Sequence, residues 1–267
     1  MLDDYSVKVI CKSTESSGKV LAIPLNSTGN GVDLTQRTYT DNSDYSDEWY
    51  LLNITGSEGF LLGITDTGHD HHSSLGSIMT QLVQLGYKDF NYTITNDIDY
   101  ITVLQNMADS KVYVSRSHGT VGNRAPYILL KDIEEGEVLP TNNTLGSYDI
   151  YDFDTDTAAV DLSNCDFVLF VGCETGKCDN RSLPYAAVAA GATCAIGFKD
   201  NIGCENANEW TKAFFNNLAE GKSIAVAAEE ASGTYENDDD IGSYVIVYNI
   251  YTENGEFLTV MKTRREN

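Results

Sequence analysis

The segment Asp166-Phe167-Val168-Leu169-Phe170-Val171-Gly172-Cys173-Glu174-Thr175-Gly176 constrains this chain more than any other. Five consecutive apolar residues, Phe167 to Val171, include aromatic and β-branched members and read as a strand buried on both faces. Such a strand belongs inside a parallel sheet covered by helices, because a one-sided antiparallel sheet calls for alternation instead. Gly172 ends the run, and Cys173 opens a polar turn that closes at Gly176. In open parallel sheets, ligands and chemistry gather at the rim past the carboxyl ends of the strands. A thiol at that rim is a candidate nucleophile. Free cysteine is also among the most buried residue types, so the position taken alone equally suits a small apolar filler.

A second segment, Lys111-Val112-Tyr113-Val114-Ser115-Arg116-Ser117-His118-Gly119-Thr120, is another short strand, and it ends in His-Gly. Two strands thus deliver the halves of a thiol–imidazole pair to the same kind of position. Their separation, 173 − 118 = 55 residues, is enough for a crossover that brings the chain back parallel and adjacent. A cysteine nucleophile needs a nearby base to become thiolate, and His118 on the neighbouring strand would supply it. Gly119 permits close backbone approach, so its N–H would face a developing oxyanion beside the N–H of Cys173.

His-Gly after one strand and Gly-Cys after the next resembles the caspase-like cysteine peptidases. Within that group the chain is most similar to the CHAT branch. Val168 to Gly176 matches its strand followed by Cys-Glu-Thr-Gly, and Ser182-Leu183-Pro184-Tyr185-Ala186-Ala187-Val188-Ala189-Ala190-Gly191-Ala192 matches its small-residue helix and Ala-Gly-Ala turn. Trp210 to Ala231, with Phe214-Phe215 and Gly221-Lys222-Ser223, resembles its closing helix pair. The resemblance covers roughly residues 59–235. It implies an α/β fold, a caspase-like three-layer sandwich with a mostly parallel central sheet. It also implies a cysteine endopeptidase with Cys173 as nucleophile, His118 as general base and acid, and Gly119 in the oxyanion hole. The partners would be a protein or peptide substrate and an activating protein, or activation by cleavage, for which the 131–160 loop is suited. No cofactor is implied.

The 267 residues carry a formal net charge of −23 and a pI near 4.3, which argues against nucleic acid or an anionic membrane as partner. The same acidity favours cationic substrates. In the caspase-like arrangement the loop after the first strand lines the pocket for the residue before the scissile bond (P1). Asp66 and Asp70 on that loop, with Asp200 at the exit of the strand 193–198, are the candidates for a pocket selective for Arg or Lys. The cluster His69, His71 and His72 in the same loop also invites a zinc reading. With no partner cluster elsewhere in the chain, no metal is assigned. Two alternatives from other classes remain open: a catalytically silent caspase-like binding or scaffold module, and a zinc hydrolase using those histidines. There is no apolar run of eighteen residues and no charged-then-apolar leader at Met1-Leu2-Asp3-Asp4. The six cysteines lack CxxC spacing and read as mostly free thiols. Few lysines and many Tyr, Asn, Ser and Thr residues give the chain the look of a bacterial surface protein.

Two domains are expected, a β-rich appendage over 1–55 and a caspase-like peptidase domain over 56–267. Residues 5–54 alternate polar and apolar with dense turn residues. They resemble one lobe of a ricin-type β-trefoil, with Asp47 where that family's Gln-x-Trp motif has Gln. Strands are expected at 60–64, 92–95 and 193–198. Helices are expected from Leu75 to Leu85 (ending at Gly86), from an N-cap at Asn96 or Asp97, at 205–219 and at 223–231. A hairpin is expected between 127–130 and 137–139, an acidic aromatic surface loop over 148–156, and a terminal hairpin around Asn254-Gly255.

Overall fold

The computed structural model describes residues 7–10, 19–22, 35–38, 50–53, 58–65, 74–132, 141–233, 244–251 and 257–263. The chain divides into two compact units, Met1–Gly56 and Ser57–Asn267. In the first, β1 (Val7–Ile10), β2 (Lys19–Ala22), β3 (Thr35–Thr38) and β4 (Tyr50–Asn53) form two antiparallel pairs, β1 with β4 and β2 with β3. Asp47 and Trp49 lie outside the described residues.

The second unit is built on runs that are apolar at consecutive positions. They form β5 (Gly59–Ile64), which leads to helix α1 (Leu75–Gln84), then β6 (Phe90–Thr95), α2 (Tyr100–Ala108) and β7 (Val112–Arg116). A small antiparallel sheet follows, made of β8 (Gly119–Val121), β9 (Pro126–Leu129) and β10 (Thr144–Gly146). Next come the one-turn helix α3 (Ser147–Ile150) and the short strands β11 (Tyr151–Asp152) and β12 (Thr157–Ala158). The chain returns through β13 (Phe167–Val171), α4 (Leu183–Ala189), β14 (Cys194–Phe198), α5 (Cys204–Ala219) and α6 (Ile224–Gly233). It finishes with β15 (Tyr244–Tyr251) and β16 (Phe257–Thr263). One sheet has the strand order β16-β15-β14-β13-β7-β5-β6. From β14 to β6 every pairing is parallel, and β15 and β16 add an antiparallel hairpin at the other edge.

β5, β7, β13 and β14 are buried at every position, as near-continuous apolar runs require when helices cover both faces. On one face Phe60, Tyr113, Val168 and Phe170 pack with Met107 of α2 and with Leu183 and Ala187 of α4. On the other, Phe167 stacks on Phe214 of α5 at 5.6 Å between ring centroids, and Trp210 meets Phe198 edge-on at 4.9 Å. The Trp210 indole N–H donates to Ser232 of α6 at 2.8 Å, so this fully buried ring keeps its polar atom satisfied. The result is a three-layer α/β sandwich with a mostly parallel central sheet. Among the described residues no helix is long and apolar enough to cross a membrane.

Two local expectations are corrected. α2 starts at Tyr100, later than expected, because Asp99 is its N-cap: the Asp99 carboxylate accepts the Thr102 N–H at 2.9 Å. Asn96 and Asp97 instead belong to the turn leaving β6. The expected partner of the 127–130 strand, residues 137–139, lies outside the described residues; that strand is β9. Its two edges are already filled by β8 and β10, in the registers Ile128↔Gly119 and Ile128↔Leu145. The 148–156 stretch is more than a solvated loop, since Ile150 is fully buried and Tyr151 and Phe153 pack against the core. Removing the ring that joins Trp210 and Phe167 should be costly. Phe214→Ala is expected to lower unfolding free energy by about 3–5 kcal/mol, measurable as an earlier urea midpoint with little change in slope.

Candidate active site

β7 and β13 pair in parallel over five residues, ending at Val171↔Arg116. The ladder runs one step further, with the Ser117 N–H donating to the Val171 carbonyl at 3.2 Å. Cys173 and His118 each follow two residues after the last paired position, so they leave the sheet side by side. Both line one pocket of about 200 Å³ together with Arg116, Gly172, Ile202 and Cys204. Cys173 is half-buried. Its sulfur receives the Ile202 N–H at 3.4 Å and lies 3.6 Å from the Ile202 carbonyl. The His118 carbonyl accepts the Leu129 N–H at 2.9 Å, and the Ser117 hydroxyl donates to the Leu129 carbonyl. The backbone that carries the imidazole is therefore clamped to β9.

Gly119 sits directly against the thiol-bearing peptide. A Cβ there would overlap the Cys173 carbonyl oxygen and stand 3.2 Å from the Cys173 nitrogen, so a side chain is excluded by close approach alone. Gly172 is equally confined, because its Cβ position is 2.7 Å from the Ser117 carbonyl and 3.3 Å from the Gly119 nitrogen. Past the thiol, Glu174 adopts a left-handed backbone, φ 57°, a conformation costly for a residue with a side chain. The turn is held there from outside. Glu174 N–H donates to the Asp200 carbonyl at 3.1 Å, and Gly176 N–H to the Phe198 carbonyl at 2.7 Å.

Asp200 is exposed and does not line the pocket. Asp66 and Asp70, with His69, His71 and His72, lie outside the described residues. Among the described residues no three His, Cys, Asp or Glu side chains are grouped closely enough to hold a metal ion. Arg116 and Cys204 are pocket residues that sequence reading missed. Arg116 is 1 % exposed, and its guanidinium donates to the Asn208 side chain of α5 at 2.7 Å and reaches the Cys204 carbonyl at 3.4 Å and its sulfur at 3.6 Å. A buried cation needs such partners to offset its lost hydration. Its signal in the sequence is a charged residue ending an otherwise apolar run.

The described cysteines are all free thiols. Burial pushes the Cys165 thiol up to about 12 and the Cys194 thiol up as well, which keeps both protonated and unreactive. A half-buried thiol and an imidazole lining one pocket form a pair suited to nucleophilic acyl transfer.

A complex of the pro- and mature domains of Porphyromonas gingivalis RgpB aligns with a TM-score of 0.50 at 11 % identity, over 79 % of this chain and 62 % of that one. The Arg-specific cysteine proteinase gingipain R aligns with a TM-score of 0.49 at 10 % identity, over 77 % and 59 %. The first likeness shows the shared caspase-like fold, and the chain spans about three-fifths of the length of these solved chains. No curated protein sequence matches. The CHAT domain family model matches residues 101–249, a stretch that holds both rim segments and more than half of the chain. The protein belongs to the CHAT domain family.

Proposed function

We propose that the chain is a cysteine endopeptidase working through Cys173 and His118. The observation that carries this is the delivery of a thiol and an imidazole into one pocket by two strands paired in register. His118 takes the Cys173 proton, and the sulfur attacks the scissile carbonyl. The N–H groups of Gly119 and Cys173 receive the oxyanion. Collapse breaks the C–N bond, with the His118 imidazolium protonating the leaving amine. Water, deprotonated by His118, then cleaves the thioester and releases the acid. The partner is a protein or peptide substrate. Activation by a second protein or by cleavage belongs to the same proposal, and its alternative is a silent scaffold.

A basic P1 residue is favoured by the net charge of −23 and by Asp66 and Asp70 as pocket candidates. A second reading, an acidic P1, is favoured by the buried Arg116 guanidinium that lines the pocket. A fluorogenic panel with Arg, Lys, Asp, Asn or Leu at P1 separates them. Cleavage after Arg or Lys is expected, absent in Cys173→Ala, lowered about 10²–10⁴-fold in His118→Ala and indifferent to chelator. Cleavage mainly after Asp would overturn the basic preference, and chelator-sensitive cleavage the thiol mechanism.

Two further outcomes are expected. Gly119→Ala must push the backbone off the Cys173 carbonyl, which should destabilise the chain by about 1–3 kcal/mol and reduce kcat at least about 100-fold. In native protein at pH 8, iodoacetamide is expected to modify Cys173 and the exposed Cys178. It should spare Cys165, whose thiol at about 12 is ionised in roughly one molecule in 10⁴. Peptide mapping by mass spectrometry reads the pattern.

A further inference from the structure

We propose that Thr175 is the positioning residue that sets the oxyanion hole, an inference that rests on the peptidase reading above. Thr175 stands two residues after the nucleophile and is fully buried, so it touches no substrate and acts through its neighbours. Its hydroxyl oxygen lies 3.0 Å from the Gly172 carbonyl and 3.1 Å from the Phe170 carbonyl, and it accepts the Phe198 N–H at 3.0 Å. A hydroxyl has one proton and two lone pairs. The proton is shared between the Phe170 carbonyl of β13 and the Gly172 carbonyl just past it, and one lone pair takes the β14 amide. This side chain therefore stitches the end of the nucleophile strand to the next strand.

The Gly172 carbonyl is the other end of the peptide unit whose N–H belongs to Cys173. That unit is planar, so holding its oxygen holds the direction of its N–H. A hydrogen bond at the oxygen also polarises the N–H. The methyl of Thr175 completes the brace. It lies 3.0 Å from the position a Cβ would take on Gly119 and 3.4 Å from that of Gly172, and so packs against the residue that supplies the second oxyanion donor. One side chain touches both donor units, with the hydroxyl aiming one and the methyl backing the other. Serine would keep only the first function and valine only the second.

The test compares two reactions at the same sulfur in the full chain. Iodoacetamide alkylates Cys173 by displacement and forms no oxyanion. p-Nitrophenyl acetate acylates it through a tetrahedral oxyanion: the Sγ–C bond forms, the ester C–O bond breaks and p-nitrophenolate leaves. Both rates are taken relative to Cys173→Ala. Thr175→Val is expected to slow acylation by about 10- to 100-fold while leaving alkylation within about twofold, and Thr175→Ser to restore most of the acylation rate. Should the valine variant not fold, Thr175→Cys, with its weak S–H donor, carries the same expectation with a smaller drop. A parallel fall in both rates, an unchanged acylation rate, or a serine variant as slow as valine would each overturn the proposal. Because neither probe is a peptide, failure of peptide cleavage would count against the peptidase reading and leave this ratio to be read on its own.

Discussion

The structure depends on the parallel pairing of β7 with β13, in the register that ends at Val171↔Arg116. Alternation along a strand has a period of two, so a slip of one residue would send Tyr113 and Val168 to the wrong face and put His118 out of level with Cys173. The apolar layers on the two sides prevent that slip, since Phe60, Tyr113 and Phe170 are committed to one face and Phe167 to the ring stack of α5 on the other. Burying several large side chains on each face, at about 1.5–3 kcal/mol apiece, holds the geometry at the rim. Packing in the sheet interior thus translates directly into the placement of two reactive groups outside it.

The same rim also holds buried polar side chains. Arg116, Ser117, Thr175 and Asn208 are all buried, and each bonds a backbone or side-chain partner from a different element. Arg116 ties β7 to α5, Ser117 ties the imidazole segment to β9, and Thr175 ties the thiol turn to β14. Directional bonds of this kind specify angles, which apolar contacts do not. The left-handed Glu174 is maintained by the same set of ties, through its N–H to the Asp200 carbonyl.

What the sequence made legible follows from how local each signal is. The runs Phe60–Ile64 and Phe167–Val171 announced buried strands because both-face burial leaves an unbroken apolar word, and Cys173 after the second and His118 after the strand 112–116 pointed to the rim. The N-cap at Asp99 was missed by two to three residues because Asn96, Asp97 and Asp99 are all acceptable capping types, and only the Thr102 N–H chooses among them. The two-sided pairing of β9 was not legible because its partners, Gly119 and Leu145, come from opposite directions along the chain. Arg116 was hidden for another reason: a charge ending a strand reads as solvated, and only α5, nearly ninety residues on, turns it inward.

The 55-residue interval between imidazole and thiol has a structural meaning of its own. Their alignment is held by backbone ladder bonds between β7 and β13, to which the intervening β8 to β12 region contributes no rung. Lengthening a loop adds only slowly to the entropy of closing it. The exposed turn 154–159 within that interval can therefore be lengthened without touching a rung of the ladder. In engineering terms it is an insertion port: a sensor or docking module placed there leaves the β7–β13 ladder, and the two rim residues on it, unchanged.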